Sequence, residues 1–136
     1  MRVVASPADA NAYGDIFGGW LLSLMDNGAG LTAARYSGGR AVTVAMDGMQ
    51  FHEPVQIGDE VSVYCEVERV GRTSMTIMTE AWRRPRHSEA ARRVTEAKFT
   101  FVALDDNGRP RPVNAASLNN GPNNGPDARA GDRTDG

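Results

Sequence analysis

The sequence predicts an α+β domain in which a small antiparallel sheet wraps around one long, early helix. Three observations carry this. Gly18 to Arg35 (GGWLLSLMDNGAGLTAAR) reads as a helix of about 18 residues, roughly 27 Å long, and it has no polar face. A helix apolar on all sides is buried in a core or in a membrane. This stretch, with four Gly and one Asp, does not match the run of about 20 apolar residues that a membrane span needs. Behind it lie four stretches of strand character, separated by turn signals.

Taken in order, residues 6–17 (SPADANAYGDIF) are turn-rich, with Pro7, Asp9, Asn11, Gly14 and Asp15. The helix follows, and Ser37-Gly38-Gly39 ends it. Arg40 to Phe51 is rich in Val, Thr and Met. Glu60 to Val70 alternates Val61, Val63, Cys65 and Val67 against Ser62, Tyr64, Glu66 and Glu68. Thr73 to Arg84 alternates again, and Arg92 to Leu104 sets Ala97, Phe99, Phe101 and Ala103 on one side. Turns fall at Pro54 to Asp59, Val70 to Arg72, Pro85 to Ala90 and Asp105 to Gly108. The folded domain spans residues 1–113. Residues 114–136 hold Gly, Asn, Pro, Asp and Arg, with Leu118 as the one large apolar side chain, and this composition predicts a disordered tail.

Composition narrows the function classes. The 136 residues amount to one domain, and 40% hydrophobic with 24% charged residues is a soluble globular profile. Lys+Arg 15 against Asp+Glu 17 gives a net charge of −2, which argues against nucleic acid as a partner. The single Cys65 excludes an internal disulfide, and with two His it also excludes the common zinc-ligand sets. Arg2 to Pro7 has no extended apolar core of the signal-peptide kind. A cytoplasmic protein with no metal and no membrane partner is the expectation.

Asp26 is the one charge between Gly18 and Ala34. At about 100° per residue, its face of the helix also carries Gly19, Leu22, Ala29, Gly30 and Ala33. A carboxylate among such residues needs compensation or a use. Either backbone amides or an arginine across an interface satisfy it, or it is a catalytic carboxylate with Gly30 and Ala33 leaving room for a ligand. The preceding Gly14-Asp-Ile-Phe-Gly-Gly19 string is neither a P-loop nor a dinucleotide fingerprint. By itself it reads as a turn feeding a helix. Its position adds something: Gly18 and Gly19 present backbone N–H groups at a helix N-terminus, where developing negative charge is favoured. An oxyanion there, with a carboxylate about two turns along the same helix, suits hydrolysis.

The run Ala8-Asp-Ala-Asn-Ala-Tyr-Gly-Asp-Ile-Phe-Gly-Gly-Trp-Leu-Leu-Ser-Leu-Met-Asp26 resembles the hotdog-fold acyl-CoA thioesterases of the YciA type. The likeness continues through Val42-Thr-Val44, Met49 to Asp59, Val70 to Ser74 and Phe99 to Ala103, and ends at Asn107 to Arg111. It implies a hotdog fold of about five strands, here with a short first strand, since only Arg2 to Ala5 precede Ser6-Pro7. It also implies dimers joined edge to edge through their sheets, a hexamer built from such dimers, and an acyl-CoA substrate hydrolysed without any cofactor. The essential carboxylate of the resemblance falls on Asp26, which either activates water as general base or attacks directly as nucleophile, and the thioester-oxygen donor falls on Gly18 or Gly19. Asp15 lines the site from the opposite protomer. The candidate catalytic residues are therefore Asp26, Asp15, Gly18 and Gly19; the candidate substrate-binding residues are Asn11, Gly30, Arg72 and Arg109. A hotdog hydratase or dehydratase would place a His where this chain has Asp15, and a non-catalytic acyl-CoA binder is the other rival.

The remaining chemistry-bearing residues read as structural. Ser23 sits mid-helix with no His near it and no nucleophile elbow around it. His52 reads as a strand-end surface residue, and Cys65, Trp20 and Met25 as core. Arg83, Arg84, Arg86, Arg92 and Arg93 form a basic run, read as a solvated loop balanced by Glu80 and Glu89. Some of this run, or Arg72, Arg109 and Arg111, are suited to the CoA phosphates through charge-assisted bonds, Arg72 and Arg109 first because they stand in turn segments that carry the resemblance.

Overall fold

Helix α1 runs over Gly18–Ser37, two residues past the expected end. Gly38 stops it in the left-handed conformation (φ 73°), where its N–H and that of Gly39 donate back to the Arg35 and Ala34 carbonyls. In this computed structural model, which describes residues 1–113, five antiparallel strands form one sheet: β1 (Arg2–Val4), β2 (Ala41–Phe51), β3 (Glu60–Val70), β4 (Ser74–Arg84) and β5 (Arg92–Ala103). Their spatial order is β1-β3-β4-β5-β2. The strands expected from the sequence are all present, with boundaries moved by one residue at Ala41, Ser74 and Ala103. The tail expected over 114–136 lies outside the described residues.

The sheet curls around α1. Leu21, Met25, Ala29 and Ala33, spaced four apart along one side of the helix, are buried in one core with Val61, Val63, Met75, Ile77, Phe99 and Phe101 from β3, β4 and β5. The helix approaches β3 closely at Gly28. A Cβ there would stand 3.1 Å from Val63 Cγ1 and 3.3 Å from Cys65 Sγ, so only glycine fits without displacement. Cys65 is half-buried against this contact, and Trp20 is likewise half-buried against the core rather than enclosed by it.

One chain does not cover its helix. Ser23, Asn27 and Leu31 are open to solvent, with Leu31 55% exposed, so the sheet of a single chain leaves one flank of the helix bare. Strand β2 is bare on the same scale. It is an edge strand, paired only with β5, and Val42, Val44, Met46 and Phe51 are exposed along it. Its ladder is interrupted twice, between Thr43 and Ala45 and between Asp47 and Gln50, the second around Gly48 at φ 74°. Among the described residues no helix is long and apolar enough to cross a membrane.

Candidate active site

Asp26 lies on the open flank of α1 and faces β2. Thr43 Oγ1 donates a hydrogen bond to Asp26 Oδ1 at 2.6 Å, within the short range of a hydroxyl–carboxylate contact. The β2 irregularity falls directly after Thr43, and a bulge of this kind re-aims the side chains beside it. Of the partners expected for Asp26, no backbone amide among the described residues of this chain reaches it; a threonine hydroxyl does. Nothing in the residue pattern marks Thr43, because its meeting with Asp26 requires β2 to cross to the far edge of the sheet.

An open groove of about 640 Å³ starts at this pair. Asp26, Asn27, Gly30 and Leu31 of α1 form one wall, Ala41, Val42 and Thr43 of β2 another, and Met1 and Phe101 complete it. Gly30 opens onto this groove as expected: a Cβ there would meet only the Phe101 ring, at 3.6 and 3.8 Å. Ala33 does not. It is buried in the core, because the helical face assigned to Asp26 divides along its length, Ala29 and Ala33 turning inward and Gly30 outward.

The Asn11–Phe17 loop is held from within and from outside. Asn11 Oδ1 accepts from the N–H groups of Tyr13 (2.8 Å) and Asp15 (3.1 Å), and the Asn11 N–H donates to the Asp15 carbonyl at 2.7 Å. Gly14 takes φ 86° at the tip. Asp15 pairs with Gln56, and Ile16 N–H donates to the Val55 carbonyl at 2.8 Å. Asn11 Oδ1 therefore organises the loop, while the Asp15 carboxylate carries no hydrogen bond or ion pair among the described residues. At the helix start, Phe17 is the N-cap and its carbonyl accepts from Trp20 and Leu21. The Gly18 and Gly19 N–H groups have no acceptor among the described residues, and the space beside Gly19 is open.

One distance changes the sequence-based picture. Gly18 and Gly19 precede Asp26 by about two turns, which at 1.5 Å per residue is about 10–12 Å. A reacting carbonyl must lie about 3 Å from both its oxyanion donors and its attacking group. Within one chain, then, α1 cannot supply both to the same carbonyl. The structure brings Asp26, Thr43 and Gly30 together and leaves Gly18, Gly19 and Asp15 at the other end of the helix.

Arg72 and Arg109 do not line this groove; they stand in the turns that follow β3 and β5. Val113 N–H donates to the Arg72 carbonyl, and Asp105 Oδ1 accepts from the Arg109 N–H. Both side chains are exposed. The basic run is not a freely solvated loop: Arg83 pairs with Glu53 and Asp59, Arg84 with Glu60, Arg92 with Glu53, and Arg93 with Glu80 and Glu96. Glu80 is a partner as expected, while Glu89 is not among them. His52 is exposed at the end of β2.

The model of the thioesterase superfamily matches residues 13–90, from the Asp15 loop through α1, β2, β3 and β4. The chain belongs to this superfamily. It is 52% identical over 110 residues to an uncharacterized acyl-CoA thioester hydrolase of Zymomonas mobilis, covering 81% of this chain and 74% of that one. It is 46% identical over 114 residues to the acyl-CoA thioester hydrolase YciA of Escherichia coli, covering 82% and 86%. Among solved structures, the hexameric hotdog fold thioesterase of Campylobacter jejuni superposes with a TM-score of 0.81 at 36% identity, over 88% of this chain and 92% of that one. The one long helix wrapped by five antiparallel strands among the described residues is the hotdog fold.

Proposed function

We propose that this chain hydrolyses acyl-CoA thioesters to free CoA and a carboxylic acid, with Asp26 as the catalytic carboxylate. The observation that carries the reading is the Thr43–Asp26 hydrogen bond at the head of an apolar groove. Thr43 fixes one carboxylate oxygen, Oδ1, and leaves Oδ2 to act as the base. Oδ2 takes a proton from water, the water oxygen adds to the thioester carbon, and the carbonyl oxygen becomes an oxyanion. Collapse breaks the C–S bond, and the departing CoA sulfur takes the proton back from Asp26. Gly30, Leu31, Val42 and Phe101 give the acyl chain an apolar bed next to that carbon.

The oxyanion donors are the Gly18 and Gly19 amides of a second copy, with Asp15 beside them, because those of the same chain are too far along α1. The bare edge of β2 and the open flank of α1 support this arrangement: both carry exposed apolar residues, and both lie next to Asp26. Joining two sheets through β2 gives the dimer, and three dimers give a hexamer like that of the Campylobacter jejuni relative. Arg72 and Arg109, both exposed, are the candidates for the CoA phosphates. Residues 1–113 carry the whole activity, and the cytoplasm, where acyl-CoA is made and used, is its setting.

The test is CoA release from a panel of short, medium, long and aromatic acyl-CoAs, with wild type and Asp26→Asn side by side. The substitution keeps size and removes basicity, so kcat falls by about 10²–10⁴-fold with KM and melting temperature little changed. A folded, oligomeric Asp26→Asn protein that retains most of its turnover overturns the assignment and makes Asp15 the leading carboxylate.

A further inference from the structure

The segment between β2 and β3, residues 52–59, is the outside support of the Asp15 loop, and one guanidinium fastens it at both ends. Arg83 projects from β4. Its Nη1 donates to Glu53 Oε1 at 2.8 Å and to the Pro54 carbonyl at 3.0 Å, where the segment begins. Its Nε stands 3.0 Å from Asp59 Oδ2, where the segment ends. The Nε–H is not aimed along that line, so this second contact is an ion pair rather than a linear hydrogen bond. Asp59 is 4% exposed, and the same Oδ2 accepts from the Gln56 N–H at 2.9 Å, which folds the segment back on itself.

The middle of the segment faces the candidate site. Val55 and Gln56 pair with Ile16 and Asp15, and Ile16 and Val55 are both buried at the junction. Two residues beyond Ile16 the helix begins, at Gly18. A continuous series of contacts thus runs from Arg83 through Asp59 and Gln56 to Asp15, and from there to the Gly18 and Gly19 amides. We propose that Arg83 is a positioning residue for thioester hydrolysis: by clamping both ends of the 53–59 segment it sets the direction of the N–H groups that receive the oxyanion. This rests on the reading of Gly18 and Gly19 as oxyanion donors.

The planar fork is what the role requires. A lysine ammonium is a compact point charge and satisfies one end of the segment at a time, whereas the guanidinium spans both. The fold does not depend on the clamp alone, because backbone bonds between Ala5 and the Gly58–Asp59 corner also hold the segment. Loosening therefore shows in turnover before it shows in folding. Removing an oxyanion donor outright costs about 10²–10³-fold in kcat, and a donor that remains but is misdirected costs less.

The experiment is steady-state CoA release with the full chain and a saturating acyl-CoA, on wild type, Arg83→Lys, Arg83→Met and Arg84→Ala, with melting temperatures on the same preparations. Arg84 is the neighbour on β4, paired with Glu60 and making no side-chain hydrogen bond or ion pair to the 53–59 segment among the described residues. The expected result is a kcat about tenfold lower for Arg83→Lys and lower still for Arg83→Met, KM within about twofold, and Arg84→Ala at wild-type turnover. Should Arg83→Met fail to fold, the lysine variant decides. Unchanged kcat in the folded Arg83 variants, or an equal loss in Arg84→Ala, overturns the proposal. Gly18→Pro and Gly19→Pro each remove one N–H of the first helical turn and, scored on folded protein with the wild-type melting temperature, separate the two layers. If neither loses turnover, the oxyanion reading falls, and the Arg83 proposal with it. If either does while Arg83→Lys keeps wild-type kcat, that reading stands and the Arg83 proposal alone is overturned.

Discussion

Replacing Thr43 by valine removes one hydroxyl and keeps the rest of the site. Valine has the same branched shape and suits a strand, and the pairing of residue 43 with Phe101 uses only backbone. What disappears is the 2.6 Å hydrogen bond to Asp26 Oδ1. A hydrogen bond to a charged group contributes about 1.5–3 kcal/mol, and this pair, half open to solvent, belongs at the low end of that range. The bond exists before the reaction too, so what kcat loses is the positioning of the carboxylate; if all of that about 1.5 kcal/mol holds Oδ2 in its attacking geometry, the loss is about tenfold. The assay is thiol release in steady state for four proteins: wild type, Thr43→Val, Asp26→Asn and the double variant. If Thr43 acts through Asp26 alone, the tenfold loss vanishes in the Asp26→Asn background, so the coupling energy equals the whole effect of Thr43. An equal tenfold loss in both backgrounds would refute the reasoning, since Thr43 would then act on the substrate by itself. No loss in the wild-type background would refute it too.

Other perturbations have outcomes fixed by the contacts described. Arg111 donates to the Leu104 carbonyl at 2.8 Å, the Ser37 carbonyl at 2.9 Å and Ser37 Oγ at 3.2 Å, closing the C-terminal end of α1; Arg111→Ala costs about 2–3 kcal/mol, read as a fall of about 10 °C in melting temperature. Burial pushes the Cys65 thiol above its ordinary value of 9.0, against a smaller opposing pull from the nearby Thr79 and Thr32 hydroxyls. The native thiol thus stays protonated where that of the unfolded chain ionises, so this group's contribution to stability declines as pH rises past about 9, and alkylation by iodoacetamide at pH 8 is slow until urea unfolds the protein. A chain ending at Val113 keeps the melting temperature and turnover of the full chain, checked by calorimetry and CoA release on the two proteins.

The elements legible in the sequence are those whose signal is local. Alternation in β3, β4 and β5 reports directly which side chains face the helix, and Ser37-Gly38-Gly39 marks a helix end because only a residue at ease with positive φ closes it. Asp26 stands out as the one charge on an apolar helix. The position of β2 is not local: the strand that follows α1 could join either edge, and its place beside β5 is settled by which edge is left after β3, β4 and β5 pair. Thr43 is therefore invisible beforehand. Ala33 is misjudged because a helical wheel gives direction around the axis and not the depth of what lies opposite. Arg83 is hidden in a run of arginines whose composition is that of a solvated loop, yet its partners Glu53 and Asp59 come from another connection altogether.

The strand order also fixes when the site can exist. Ala41 of β2 pairs with Ala103, at the very end of β5, and β2 has no other partner in the sheet. During synthesis the ribosome delivers Asp26 and then Thr43 early, but the ladder that brings them together waits until about 60 further residues have emerged. Through that interval β2 trails as an unpaired strand bearing Val42, Val44 and Met46, with nothing of its own chain to lie against. A premature stop before β5 would leave β2 without its ladder partner, an unpaired segment carrying Val42, Val44 and Met46. The contact between Asp26 and Thr43 thus waits on residues far along the chain from both, although the two lie only 17 apart in sequence.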